Sequence, residues 1–359
     1  MTSRTSAARI RPSSSLHLGP EEIVHVGVHK ATYHVAVCTD RRGLVATWVQ
    51  PADPGLLVAK LLPFRGQIAQ VVYEAGPTGF ALVRRLRAEG FRAEVIAPSK
   101  TPSTPGPEPK TDRLDGRRLA TFAQKGLLTP VRVPSEQEEA DRQVLRLREQ
   151  LVRKSRSVQQ QIKAFLLQHG LAEPAGLGCW SDAALRSLRG LELGAELRFC
   201  LDVLLDELDH ARGQVAKLTK RLRELSRSER HQVAVARLRT VPGVGPVTAM
   251  TFRLELPGPE RFDDAGQVAR MIGLAPQVIQ SGQTRRSGRL LKSGNARLRT
   301  ALVESAWRWV ARDESAGRRY RQLVANTGSG KKAIVGMARR LAVLLWRMSV
   351  RGEPYRAAA

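Results

Sequence analysis

The chain has 359 residues, enough for two or three domains that each bury a core. Its 59 Lys+Arg against 33 Asp+Glu give a formal net charge of +26, which points to a polyanionic partner, nucleic acid first. No stretch approaches the roughly 20 apolar residues of a spanning helix, and Cys38, Cys179 and Cys200 are too scattered for a disulfide framework or a zinc site. A membrane protein and a secreted disulfide scaffold are thereby excluded, and free thiols of a reducing compartment are expected.

Residues 1–21 are rich in Ser and Arg and lack an apolar signal region, so they read as a disordered basic tail. Ile23–Val28, Thr32–Val37 and Leu44–Val49 are short β-rich runs, the last preceded by the turn signal Asp40-Arg41-Arg42-Gly43. A helix is expected over Gly55–Leu62 and a buried strand over Ala69–Tyr73 that ends at Glu74. Gly76-Pro77-Thr78-Gly79 then opens a helix over Phe80–Ala88, closed by Gly90, and Phe91–Ile96 is another strand. Three antiparallel strands followed by alternating helix and strand is the order of an α/β RNase H-like domain, here residues 22–133.

The proline-rich stretch Pro98–Pro109 reads as a loop, and a helix carrying Asp112 and Asp115 follows it. The next region, 134–232, is helical and charged. Val144, Leu147, Leu151, Val158, Ile162 and Leu166 form one stripe. Leu201, Leu204, Leu208, Ala211, Val215, Leu218, Leu222 and Leu225 form a heptad seam. That seam is either a dimerising coiled coil or an intramolecular hairpin with the first stripe. Residues 233–350 read as helical and basic, ending in an amphipathic helix through Ile334–Met348, and 351–359 as a tail.

Three features carry chemistry. The D-x-x-D pair Asp112/Asp115 places two carboxylates on one helical face. Such a pair repels itself unless a cation joins it, and Mg²⁺ is the natural joiner in a phosphate-handling protein. Glu74, at a strand end, is a third acid. Val241-Pro242-Gly243-Val244-Gly245-Pro246-Val247-Thr248-Ala249 has the form of a helix-hairpin-helix turn, with Gly243 and Gly245 allowing a phosphate to approach backbone N–H groups; a tight turn between core helices is the alternative. Finally, Ser281-Gly282 leads into a basic, glycine-rich stretch with Arg285, Arg286, Arg289 and Lys292, followed by Arg297 and Arg299 at helical spacing. By residue type alone this is a phosphate-binding loop.

The blocks V-V-Y-E-A-G-P-T-G-F, K-T-D-R-L-D, L-R-T-V-P-G-V-G-P-V-T-A, R-M-I-G-L-A-P and Q-S-G-Q-T-R-R-S-G-R-L-L-K-S-G-N-A-R-L-R, in this order over roughly residues 22–350, resemble the IS-one-ten family of insertion-sequence transposases. The resemblance implies a resolvase-like RNase H fold, a coiled-coil linker and a mainly α C-terminal transposase domain. It implies a DEDD-type recombinase guided by a bridging RNA, acting as a dimer or tetramer on element ends and target DNA. It makes Glu74, Asp112 and Asp115 the second to fourth acids of a Mg²⁺-binding tetrad, and Ser281 the nucleophile that forms a covalent protein–DNA intermediate.

One departure stands out. The family's first strand reads G-[V/I]-D-x-H-K, whereas this chain has Gly27-Val28-His29-Lys30. Aligned on His-Lys, two residues including the Asp are missing; aligned on Gly, His29 takes its place. Neither alignment supplies a carboxylate. Neutral His is a poor Mg²⁺ ligand, and Asp40 fits a turn. A catalytically impaired nucleic-acid-binding relative and a junction-resolving nuclease are the alternatives.

Overall fold

The computed structural model describes residues 21–39, 43–98, 101, 118–119, 121–123, 125–281, 284–291 and 293–357, of which 278–281, 284–287 and 289 are described by their backbone. Asp40, Asp112, Asp115 and Lys292 lie outside the described residues. The chain forms two compact units, 1–135 and 136–359. The first is mixed α/β and the second mostly helical.

Strands β1 (Glu22–Val28), β2 (Thr32–Thr39), β3 (Gly43–Pro51), β4 (Ile68–Glu74) and β5 (Ala93–Ile96) build one sheet of order β3-β2-β1-β4-β5. The β1/β2 and β2/β3 pairs are antiparallel, while β1/β4 and β4/β5 are parallel. The expected meander and the helix–strand alternation are both present. The helices are α1 (Pro54–Leu61), N-capped by Asp53, and α2 (Ala81–Ala88). They bury Leu57, Leu61, Leu82 and Leu86 on one sheet face against Val24, Val26, Val71 and Tyr73. Fully burying such a side chain contributes roughly 1.5–3 kcal/mol.

The opposite face carries the smaller cluster Ile23, Cys38, Val72 and Ile96, covered by Ala123 and Leu128. Strand periodicity puts His25 on this face too. His25 is buried, and neither ring nitrogen has a hydrogen-bond partner among the described residues. Burial lowers its pKa from 6.5 to about 4. An unfolded chain therefore takes up this proton first as pH falls. The sheet's stability is full above pH 6.5 and declines toward pH 4, by at most ~1.4 kcal/mol per pH unit. His25→Val should flatten that part of the stability–pH curve. Urea titrations of both proteins between pH 7 and 4 measure it, and parallel curves would refute the assignment.

In the second unit, α3 (Glu136–Gln168) opens with Glu136, Glu138 and Glu139, acids that suit a helix N-terminus. After α4 (Asp182–Arg189), helix α5 (Ala195–Ser226) folds back on α3. Near the hairpin's closed end Val158, Ile162 and Leu166 pack with Leu201, Leu205 and Leu208. At its open end Leu145 joins Leu222 and Leu225 in the main core of this unit. The seam of α5 is thus buried by α3 of the same chain.

Two details of the stripes differ from expectation. Leu145 and Leu205 are the fully buried residues, whereas Leu147 is exposed and Leu204 only partly covered. Adjacent apolar pairs, Val144-Leu145 and Leu204-Leu205, fit a three-and-four alternation in either of two offsets. Packing against the partner helix chooses between them.

The remaining helices are α6 (Gln232–Leu238), α7 (Pro246–Glu255), α8 (Ala265–Ile272), α9 (Ala296–Arg312), α10 (Glu314–Thr327) and α11 (Gly330–Arg351). Between α8 and α9 lies a two-stranded sheet, β6 (Pro276–Ser281) and β7 (Thr284–Leu290), where a basic loop was expected. Among the described residues no helix is long and apolar enough to cross a membrane.

Candidate functional site

The acidic site is built on β1 and β4. Residues Val71 and Tyr73 of β4 point into the helix-covered core, so Val72 and Glu74 face the other side. Tyr73 fixes the chain just beyond: its hydroxyl donates to the Gly79 carbonyl (3.4 Å) and accepts from the Val83 N–H (3.3 Å). Burial pushes its pKa up to about 12, so it stays a donor. Glu74 closes the strand half-buried, with Ala75 N–H bonded to the Ile96 carbonyl at 2.8 Å. Asp112 and Asp115 lie outside the described residues. The chain that follows them returns to this face, because Ala123 and Leu128 pack on Ile23, Val72 and Ile96.

β1 supplies the neighbour of Glu74. Its parallel register with β4 ends at His25 beside Val72, so two residues on, Gly27 runs alongside Glu74. A Cβ on Gly27 would meet His34 at 3.4 Å and His29 Nε2 at 3.8 Å, ordinary contacts. The His29 and His34 rings sit edge to face, 4.9 Å apart. The strand position next to Glu74 is therefore filled by glycine, with room for a side chain. Among the described residues no three His, Cys, Asp or Glu side chains form a metal cluster. Glu74, at a strand end and partly exposed, offers the carboxylate oxygens that a divalent cation takes.

Ser281 ends β6 and is paired with Thr284 across the hairpin tip; Arg285 and Arg286 follow, opposite Gln280 and Ile279. Arg289 lies farther down β7. The hairpin's base is anchored to the R-M-I-G-L-A-P segment. Leu291 N–H bonds the Ala275 carbonyl (2.9 Å), Asn295 N–H the Met271 carbonyl (2.8 Å), and Arg299 the Ile272 carbonyl (3.0 Å). Arg299 is thus a clasp on the end of α8. Gly294 lies against the backbone of Ile272 and Gly273.

Gly243 and Gly245 have different surroundings. Gly243 has φ +88°, and a Cβ there would lie 2.7 Å from Trp309 N, so this glycine lets the turn pack directly on α9. Gly245 is the N-cap of α7, and a Cβ on it would meet nothing within 4 Å. Arg297 of α9 lies 2.9 Å from Glu149 of α3.

Two buried polar groups escaped the sequence reading. Glu255, at the end of α7, is held by Arg146 (3.0 and 3.4 Å) and by Asn295 Nδ2 (2.8 Å). Burial raises its pKa, but hydrogen bonds from Arg146 and Asn295 and the nearby arginine charges outweigh this and hold it below its usual value. Asn295 also caps α9 through Leu298 N–H, so Glu255 ties α3, α7 and the chain leaving the hairpin together. Asp141 accepts from His231 Nε2 (2.9 Å), while His231 Nδ1 accepts from Arg253 (3.0 Å). The useful signal was an acid at the end of an otherwise apolar helix, which has to find a cation.

Residues 26–170 match the family model DEDD_Tnp_IS110, described as a transposase, and residues 235–322 match the model described as "Transposase IS116/IS110/IS902 family". The chain is 32% identical over 340 residues to "Putative transposase y4qE" of Sinorhizobium fredii (strain NBRC 101917 / NGR234), covering 93% of this chain and 83% of that one. It is 26% identical over 294 residues to the transposase for insertion sequence element IS1533 of Leptospira borgpetersenii, covering 79% of this chain and 84% of the relative.

Proposed function

The chain belongs to the IS110/IS116 family of transposases, and on that premise we propose that it moves an insertion sequence by DNA recombination through a serine–DNA phosphodiester formed at Ser281. The observation that carries the reading is the anchored hairpin. It holds Ser281 at a strand end with Arg285 and Arg286 next in the ladder and Arg289 further along β7, and Lys292 follows in the sequence. The Ser281 hydroxyl attacks a backbone phosphorus, one P–O bond breaks, and the leaving sugar hydroxyl takes a proton. Attack by a hydroxyl of another strand then reverses the step and releases the serine. The cationic residues of this basic segment offset charge developing on the phosphate oxygens.

Glu74, Asp112 and Asp115 are the residues that would hold Mg²⁺, which supplies Lewis-acid stabilisation to phosphoryl oxygens when bound. The RNase H-like reading of the first unit is supported by its sheet order and by the position of Glu74 at the end of a central parallel strand. A bridging guide RNA, a dimeric or tetrameric assembly and a place on the nucleoid complete the proposal. A second reading, a binding-competent but catalytically impaired relative, is favoured by one observation: glycine occupies the strand position beside Glu74.

The test uses end-labelled element and target DNA with the element's RNA and Mg²⁺. A protein–DNA adduct should survive denaturing electrophoresis. Ser281→Ala should remove it and slow strand exchange by at least about 10³-fold. Normal exchange by Ser281→Ala would show that another group is the nucleophile.

A further inference from the structure

A cavity of about 520 Å³ opens where α3, α5 and α9 meet the start of α7. Its wall holds Arg148, Arg153, Arg156, Arg223, Arg297 and Arg308 against only Glu149 and Glu304. Arg148 donates to Thr219 Oγ1 at 2.8 Å, and Arg156 approaches Glu304 only to 3.8 Å. Arg297 Nε lies 2.9 Å from Glu149 without its N–H aimed at the carboxylate. The guanidinium groups of Arg153, Arg223 and Arg308 make no hydrogen bond or salt bridge among the described residues, although the charge of Arg153 acts on Glu149. Six guanidinium groups against two carboxylates leave a net positive charge around one space, which is relieved when an anion enters it.

The floor of the cavity has the same polarity. Gly245 caps α7 without a side-chain acceptor, and Pro246 follows at the first helical position. The N–H groups of Val247 and Thr248 belong to the first turn, where no intrahelical acceptor exists. Both residues line the cavity. The absence of a Cβ at Gly245 leaves the approach open.

We propose that this cavity seats backbone phosphates of a single nucleic-acid strand, with the α7 N-terminus as floor and the arginines of the α3/α5 hairpin and α9 as walls. The volume suits one or two nucleotides and excludes a duplex. Arg153 and Arg156, exposed and one turn apart on α3, extend the positive wall past the mouth, so a strand longer than the cavity stays in contact. The proposal rests on the reading of this protein as a nucleic-acid recombinase. It assigns strand holding to residues other than the Ser281 hairpin.

The decisive experiment is fluorescence anisotropy of labelled 20-nucleotide DNA and RNA strands of one sequence, titrated with full-length protein over a range of salt. The triple variant Arg153→Gln/Arg223→Gln/Arg308→Gln should bind at least tenfold more weakly to one or both strands. Its log K against log salt slope should be shallower by about 2, near 0.7 per lost phosphate contact. The strand that suffers more identifies which nucleic acid the seat takes. Gly245→Asp supplies a second, opposed readout. A carboxylate at this N-cap should raise the Tm by capping α7, yet weaken strand binding by occupying the floor.

Unchanged affinity and slope in the triple variant, or a raised Tm with unchanged binding in Gly245→Asp, overturns the proposal. Loss of inorganic tripolyphosphate binding with strand binding intact overturns it too, since the ligand would then be a small polyphosphate. These binding results are independent of the Ser281 adduct, so either conclusion can fail while the other stands.

Discussion

Gly27→Asp should raise Mg²⁺ affinity and Mg²⁺-dependent strand exchange by at least about tenfold, the lower end of what disturbing even the outer shell of a metal site costs. The expectation follows from the β1/β4 register, which runs Gly27 alongside Glu74. A carboxylate introduced there joins the sheet face on which Ala123 and Leu128 settle the chain that follows Asp112 and Asp115. The neighbours of a new Cβ, His34 and His29, lie at ordinary contact distances, so the strand need not move. Inserting Asp-Val between Val28 and His29, as the family pattern read literally would suggest, is a poorer repair. His29 N–H is bonded to the Thr32 carbonyl at 3.0 Å, and two extra residues would fall in the tight β1–β2 connection rather than beside Glu74. The Mg²⁺-induced shift in Tm of Gly27→Asp against the parent chain measures affinity apart from turnover. If neither that shift nor exchange increases, the native site is complete by other residues and the impaired reading loses its support.

Much of this was legible in the residues, for identifiable reasons. The first unit alternates apolar and polar positions and is punctuated by Gly and Pro, so strands and helices fell within a few residues of their expected places, with Glu74 ending β4 as anticipated. The β6–β7 hairpin was missed because its second strand reads Thr-Arg-Arg-Ser-Gly-Arg, with almost no apolar alternation to reveal it. The Gly282-Gln283 pair between Val278-Ile279-Gln280-Ser281 and Thr284 was the available hairpin signal. Partnership is the harder class of information. That Arg297 faces Glu149, or that Glu255 gathers Arg146 and Asn295, depends on side chains well over thirty positions apart meeting in space. No local pattern encodes this. Gly243 and Gly245 illustrate the same limit: one motif, two glycines, of which one packs on α9 and the other opens toward a basic cavity.

Gly294→Ala should be among the most damaging single-methyl changes in the second unit. A Cβ built there would lie 2.5 Å from the carbonyl carbon of Ile272 and from Met271 O, and closer still to Gly273 N. All three are backbone atoms at the end of α8, so no side-chain rotation can make room. Overpacking of this kind costs ~3 kcal/mol or more, or a fall of roughly 6–12 °C in the Tm of a unit this size. The damage is also local in its consequence. Separating residues 271–273 from 294–295 stretches the Asn295–Met271 and Leu291–Ala275 hydrogen bonds that fix both ends of the Ser281 hairpin, and it draws Asn295 away from Glu255. Exchange should therefore fall even at temperatures where the unit is still folded. Calorimetry and exchange assays on Gly294→Ala at low temperature decide it. A Tm within about 2 °C of the parent, with full exchange, would mean that the two segments can part without cost and that the hairpin is positioned by something other than this backbone contact.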